Sequence, residues 1–216
     1  MKYQLIVFDW DGTLLDSAAA IVQAIQAACR DLELPVPDDN QARHVIGLGL
    51  ADAMRHVMPD LRPDQCQAMV DRYRHHYLSG DHKLTLFAGV RDMLVRLQAA
   101  GHALAVATGK SRLGLERALD HSGLRPYFLA SRCADECHSK PHPQMLQELM
   151  AEFAVAAETV VMIGDTSHDL LMAKNAGVDA LAVTYGAHPP EHLLECAPLA
   201  VLGSVPDLDR WLRDHG

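Results

Sequence analysis

The sequence predicts an α/β protein whose core is a doubly wound parallel sheet, interrupted once by a small all-helical insertion. Three apolar runs carry the first half of that expectation: residues 4–9, 104–108 and 160–165, each short, aliphatic or β-branched, and each ending in a small or acidic polar residue. Continuous apolar runs of this length suit strands covered on both faces, as parallel strands are. Helical spacing follows them, and strands alternating with helices build a doubly wound sheet. The second half comes from a gap in that alternation, roughly residues 16–83, where no strand pattern occurs.

Taken in order, the first strand (4–9) delivers Asp9 and, shortly after, Asp11. Amphipathic helical patterns then occupy residues 18–32, 40–45, 50–58 and 63–78, punctuated by Pro35, Pro37, Gly47, Gly49, Pro59 and Gly80. Asp16 and Ser17 read as hinge and N-cap residues. With hinges near 15–17 and 81–83, the core is expected to comprise residues 1–15 and 83–216, and the insertion residues 16–82. Helices are expected at 90–99, 112–122, 143–153 and 168–176, and two further short apolar runs, 128–130 and 180–183, bring the sheet to about five strands.

The bulk properties narrow the function. At 216 residues the chain suits one sizeable core, or a core plus a small inserted domain. A formal net charge of -9 disfavours nucleic acid, whose phosphates are held chiefly by Lys and Arg. A small anionic substrate needs only a local cluster of cations and amides, so it remains compatible. No run approaches the ~18 apolar residues of a membrane span, and the start of the chain lacks the basic and apolar regions of a signal peptide. Five cysteines (29, 66, 133, 137 and 196) form no secreted framework, which points to a reducing cytoplasm. Cys133, Cys137 and His138 lack the second ligand pair a zinc site would need, the 13 histidines are scattered and expected mostly on the surface, and Met145, Met150, Met162 and Met172 fall on core-like spacings. No coiled-coil seam indicates an assembly.

Ligands of open parallel sheets bind beyond the carboxyl ends of the strands. Asp9, Thr108 and Asp165 each stand at such an end. If the chain stays extended past Asp9, the two-residue repeat places Asp11 on the same side. Two carboxylates from one loop and a third from another strand make a hard-oxygen pocket suited to Mg2+. Thr108 adds a hydroxyl, and Gly109 a backbone amide that an anion can approach closely. Lys140 precedes Pro141 and Pro143, so its ammonium is expected at the start of the next helix, where the dipole also favours an anion. Lys110 is divided between a phosphate contact and a solvent-facing role.

The segment Phe8-Asp-Trp-Asp-Gly-Thr-Leu-Leu-Asp-Ser17 resembles the first motif of the haloacid dehalogenase-like (HAD) hydrolases. Thr108 in Ala-Thr-Gly-Lys resembles their second motif, Lys140 in Ser-Lys-Pro-His-Pro the third, and Gly164-Asp-Thr-Ser-His-Asp169 the fourth. The motifs occur in order over almost the whole chain, the insertion sits where this family's first-type cap belongs, and the similarity is greatest to the phosphoglycolate phosphatase-like branch. The resemblance implies a Mg2+-dependent phosphatase in which Asp9 attacks phosphorus, Asp11 serves as acid and then base, and Thr108 and Lys140 hold phosphoryl oxygens. It implies Mg2+ on Asp9, Asp165 and the backbone carbonyl of Asp11, with Asp169 orienting Lys140 or a metal-bound water. An acid at position 11 separates the phosphate-cleaving members from dehalogenases and phosphonoacetaldehyde hydrolases. The substrate is expected to be a small phosphorylated metabolite, phosphoglycolate first. Arg43, in the loop 43–49, is a candidate for its carboxylate or second phosphate, with a solvated helix-end role as the alternative. A β-phosphoglucomutase-like phosphotransferase, a pyrophosphatase and a non-catalytic binding protein on the same fold are the alternative readings.

Overall fold

The computed structural model describes residues 2–216; Met1, which the expected core segment 1–15 includes, lies outside them. The strands are β1 (Leu5–Phe8), β2 (Ala103–Thr108), β3 (Ala130–Cys133), β4 (Val160–Gly164), β5 (Asp179–Val183) and β6 (Ala200–Leu202). The helices are α1 (Ala18–Asp31), α2 (Asp39–His44), α3 (Leu50–Val57), α4 (Pro63–Gly80), α5 (Val90–Ala99), α6 (Arg112–Ser122), α7 (Gln144–Phe153), α8 (Ser167–Ala176), α9 (Pro190–Leu194) and α10 (Val205–His215). All strands are parallel, in the order β3-β2-β1-β4-β5-β6, with β1 at the centre.

The alternation of strand side chains divides the apolar runs between two layers. Ile6, Phe8, Leu104, Val106, Val161 and Ile163 pack with Val90, Met93 and Leu94 of α5 and with Leu208 and Leu212 of α10. Their neighbours Leu5, Val7, Ala105, Ala107, Val160 and Met162 pack with Met145, Leu146 and Leu149 of α7 and with Met172 and Ala173 of α8. Both faces of the three central strands are therefore dry, which is why their sequences are uninterruptedly apolar.

The sheet has six strands where about five were expected. The additional β6 is three half-buried residues at an edge, too short and too exposed to stand out as an apolar run. The strand expected at 128–130 lies at Ala130–Cys133 instead. It extends through Ser131 and Arg132 because β3 is the opposite edge, where Arg132 reaches Glu148 and Glu152 of α7 at 2.6 and 2.8 Å.

Helices α1 to α4 form a separate apolar cluster. Ile21, Val22, Ile25, Ala28 and Cys29, at helical spacing on one face of α1, meet Met54, Met58 and Met69. The chain leaves and re-enters the α/β layer side by side: Leu15 bridges Leu86, and the Asp16 N–H donates to the Thr85 carbonyl at 3.0 Å. Among the described residues, no helix is long and apolar enough to cross a membrane.

Register fixes where the polar ends emerge. Phe8 lies opposite both Val106 and Ile163, and the Asp9 N–H donates to the Ile163 carbonyl at 2.9 Å. Asp9, Thr108 and Asp165 therefore leave the sheet along one edge.

Because Ile6 is wholly buried at the centre of the sheet, Ile6→Ala should cost ~2–5 kcal/mol of unfolding free energy. Urea denaturation measures this, and a loss below ~0.5 kcal/mol would contradict the packing described.

Candidate active site

Four of the expected residues converge at that edge, all of them buried. The Lys140 ammonium donates to Asp9 Oδ1 at 2.7 Å and to Asp169 Oδ1 at 2.6 Å, with its side chain sealed from solvent. Asp169 is fixed from its other oxygen: Oδ2 accepts from the Thr166 N–H and hydroxyl at 3.1 and 2.7 Å, closing the capping box that starts α8. Asp165 accepts from the Thr13 hydroxyl at 2.8 Å and from the Ala187 N–H at 2.7 Å. The remaining oxygen of Asp9, Oδ2, is buried and has no hydrogen-bond partner among the described residues.

The carboxylates that gather are those of Asp9, Asp165 and Asp169, each offering an oxygen within 4.8 Å of the others. Asp11 was expected on the same side as Asp9, and its carboxylate is not in this group. The strand pairing of β1 ends at Phe8, and the chain then turns through Gly12 (φ 81°), so the two-residue repeat does not persist to Asp11. Its carboxylate meets Ser17 Oγ at 2.7 Å, Lys110 Nζ at 2.9 Å and the hydroxyl of Tyr77, from α4, at 3.4 Å. Lys110, undecided between phosphate and solvent on sequence alone, is nearly buried against Asp11 and the Tyr77 hydroxyl, the latter at 3.1 Å.

Thr108 closes β2, and its Oγ1 accepts from the Lys110 N–H at 3.2 Å. It is not the cap of α6; Ser111 takes that role through the Gly114 N–H at 3.3 Å. Among the described residues, no acceptor takes the hydroxyl proton of Thr108. Gly109 is pressed against the loop 43–49, since a Cβ there would come within 2.5 Å of the Leu48 carbonyl oxygen and 2.6 Å of that of Gly47. The same loop is tied down by the Gly49 N–H, which donates to Ser139 Oγ at 2.8 Å. Arg43, at the far end of the loop in the last turn of α2, is half-buried, and among the described residues no hydrogen bond or ion pair holds its guanidinium. Among the described residues, Cys133, Cys137 and His138 form no metal-binding group; the Cys137 thiol lies by Glu148 instead.

Three carboxylates share this buried space with one ammonium. Burial pushes the Asp9 carboxyl well above its usual range; Lys140 opposes the push, and the carboxylates of Asp169 and Asp165 add to it. Burial and the Asp169 carboxylate likewise raise Asp165 from 3.8 to about 7. For Lys140 burial acts the other way, but Asp169 and Asp9 outweigh it and keep the ammonium charged. The donor set is all hard oxygen, its charge excess is that of a divalent cation, and Asp9 Oδ2 lacks a partner: the residues fit Mg2+.

Motif spacing pointed to most of these side chains. It did not point to Tyr77, which arrives from α4, and Ser139, although inside the third motif, was not singled out. Thr13 and Thr166 stand inside the recognised motifs, so their support of Asp165 and Asp169 had a signal that residue type alone did not resolve.

A family model described as haloacid dehalogenase-like hydrolase matches residues 6–183. The chain is 37% identical over 210 residues to "Probable phosphatase IndB" of Dickeya dadantii, covering 94% of this chain and 91% of that protein. It is 32% identical over 207 residues to the phosphoglycolate phosphatase of Vibrio cholerae, covering 90% of each. A hydrolase from Pseudomonas syringae of solved structure has the same fold, with a TM-score of 0.90 at 19% identity over 99% of both chains.

Two outcomes follow from the geometry. In Gly12→Ala the added Cβ would stand 2.1 Å from Asp165 Oδ2 at a φ of +81°. Asp165 must then move, and hydrolysis of p-nitrophenyl phosphate should fall by ~100-fold; unchanged turnover would show that its placement does not matter. The second concerns pH. Asp165 binds its proton more tightly folded (about 7) than at its ordinary 3.8, so its stabilising contribution is complete below 3.8 and is lost as pH rises through about 7. The Tm of metal-free protein should therefore fall from about pH 5.5 to about pH 8, and the rise in Tm on adding Mg2+ should grow over the same interval. Scanning calorimetry with and without Mg2+ reads both, and a Mg2+ effect independent of pH would contradict the assignment.

Proposed function

The chain belongs to the haloacid dehalogenase-like hydrolase family, in its phosphoglycolate phosphatase-like branch, and from that premise we propose that it is a Mg2+-dependent phosphatase acting through Asp9. The observation that carries the proposal is the partnerless, buried Oδ2 of Asp9, at the end of the central strand with Lys140 fixed on the other oxygen. A carboxylate so placed is a nucleophile aimed by its neighbours. An oxygen of Asp9 bonds to phosphorus as the bond to the leaving oxygen breaks, and Asp11 gives that oxygen its proton. Asp11 then takes a proton from water as the water attacks the aspartyl-phosphate, which frees Asp9 and inorganic phosphate.

Asp9, Asp165 and the backbone carbonyl of Asp11 would hold Mg2+. When bound, the ion supplies positive charge against the phosphoryl oxygens. Thr108, Gly109 and Lys140 bind the same phosphoryl group, and electrostatic positioning of this kind dominates phosphoryl transfer. Asp169, with one oxygen on Lys140 and the other on Thr166, orients the lysine.

Helices α1 to α4, within the proposed insertion 16–82, act as a cap that reads the leaving group. The cap brings Tyr77 to Asp11 and its loop 43–49 onto Gly109. The substrate is a small phosphorylated metabolite. Phosphoglycolate is our first choice, because the Lys110 ammonium beside Asp11 and the Arg43 guanidinium suit a leaving group that carries a carboxylate. All five cysteines are free thiols, which suits a reducing cytoplasm.

Asp9→Asn should lower kcat by ~10⁴-fold or more toward any phosphomonoester, with circular dichroism and gel-filtration behaviour unchanged. Ranking a panel of phosphorylated metabolites by kcat/KM identifies the substrate; phosphoglycolate falling below sugar phosphates would overturn that choice. Isomerisation of a sugar 1-phosphate without release of phosphate would instead identify a phosphotransferase.

A further inference from the structure

Most of the histidines are exposed, as expected, but five that are far apart in sequence gather in one group. His44 ends α2 and His56 lies in α3, whereas His168 lies in α8, His188 follows β5 and His192 lies in α9. The His44 ring stacks on that of His188 at 5.2 Å and 8°, and lies 5.5 Å from His168 and 5.4 Å from His56. His192 stands 6.4 Å from both His44 and His188, nearly perpendicular to each. One ring nitrogen from each of His44, His188 and His192 lies within 4.8 Å of the others.

We propose that His44, His188 and His192 form a second metal site, for a borderline divalent ion such as Zn2+, Ni2+ or Cu2+, that clamps the helical insertion to the α/β layer. Imidazole nitrogens are the preferred protein ligands of these ions and poor ligands for Mg2+, so the two sites select different metals. His188 and His192 are four residues apart where α9 begins, and His44 comes across from the insertion. Among the described residues, no hydrogen bond occupies a ring nitrogen of His44 or His192. Metal ligation needs neutral imidazole, and the surroundings provide it. Burial, followed by the neighbouring imidazoles, lowers His44, and the same causes bring His188 down to about 4.

His188 has both nitrogens engaged without a metal. The Ser167 N–H donates to Nδ1 at 3.1 Å, so the ring proton is on Nε2, which donates to the His44 carbonyl at 3.1 Å. Binding through Nε2 moves that proton to Nδ1, where Ser167 Oγ, 3.3 Å away, accepts it. A ligating histidine whose second nitrogen donates to a protein oxygen is the usual arrangement at metal sites. The His44 carbonyl keeps its other donor, His168 Nε2 at 2.8 Å, and the Ser167 N–H gives up its bond to Nδ1. The ring stays neutral throughout, and no proton is lost. Three imidazoles leave a fourth position, which the exposed His56 or a water can fill.

The test uses the full chain with Mg2+ in excess, so that the carboxylate cluster is filled. Zn2+ titrated against a chromophoric chelator should bind at one ion per chain, and Co2+ should give the visible absorption of a low-coordinate, nitrogen-ligated ion. His192 is exposed, so His192→Ala should fold normally, and it should weaken Zn2+ binding at least ~10-fold, as should His44→Ala. His121→Ala, at an exposed site on α6, should leave binding unchanged. Loss of turnover on adding Zn2+ should be relieved in His192→Ala, since the clamp is then gone. Failure of the parent protein to bind Zn2+ under excess Mg2+, or equal binding by His192→Ala, would reduce the cluster to interface packing. Inhibition by Zn2+ that persists in His192→Ala would place the ion on the carboxylates and likewise overturn the proposal. None of these binding readouts requires the nucleophile or the substrate to be correctly assigned.

Discussion

The Lys140 ammonium, sealed from solvent between Asp9 and Asp169 at 2.7 and 2.6 Å, is the contact on which the geometry of the site depends. Stripping water from an ammonium and two carboxylates costs several kcal/mol per ion, and only close contacts with further hydrogen bonds offset it. The fold supplies those bonds: Thr166 donates twice to Asp169, while Thr13 and Ala187 donate to Asp165. One lysine still faces three carboxylates. The surplus charge raises the proton affinity of Asp9 and Asp165, and it makes the pocket receptive to a divalent cation. A structural ion pair would have been built neutral. This one is built short of positive charge, which suits a bound cation.

The same edge of the sheet also holds the helical insertion. Gly109 receives the carbonyls of Gly47 and Leu48, Ser139 anchors the Gly49 N–H, and His168 and His188 both donate to the His44 carbonyl. These contacts are polar and few, beside an apolar cluster that the insertion completes largely by itself. Inter-domain surfaces of this character move more readily than cores. On the proposed reading of the insertion as a cap, substrate enters beneath it, and an interface held by several hydrogen bonds and an imidazole stack suits that better than a greasy one. Tyr77, whose hydroxyl burial raises to about 12, brings a neutral donor from α4 to Asp11 and couples the insertion's position to the acid–base group.

Much of this was legible in the sequence because the central strands are dry on both faces. β1, β2 and β4 must be continuous apolar runs, and the polar residues that end them must be the ones at the ligand edge. The edge strands obey no such rule. β3 carries Ser131 and Arg132, so the apolar run at 128–130 overlapped it only at Ala130, and β6, three half-buried residues, had no readable pattern. At the site, Asp9, Thr108, Lys140 and Asp165 were found by their positions at the ends of elements. Asp169 was named from the fourth motif as orienting Lys140 but not as the third clustered carboxylate: extending the strand period past Phe8 favoured Asp11, whereas the turn at Gly12 sends Asp11 to Lys110 and leaves Asp169 to complete the group. Partners such as Lys110, Tyr77 and the histidine group depend on how the insertion sits on the sheet, which no local spacing encodes.

If Asp9 is the nucleophile, its carboxylate becomes phosphorylated during turnover. Rapid quenching of a single turnover with a ³²P-labelled phosphomonoester, followed by borohydride reduction, converts an acyl phosphate to homoserine at the residue that carried it. Stoichiometric transient label on the protein, with homoserine at position 9 in the digested peptide, is the predicted result. Phosphate release without protein-bound label, or reduction at any other carboxylate, would contradict it.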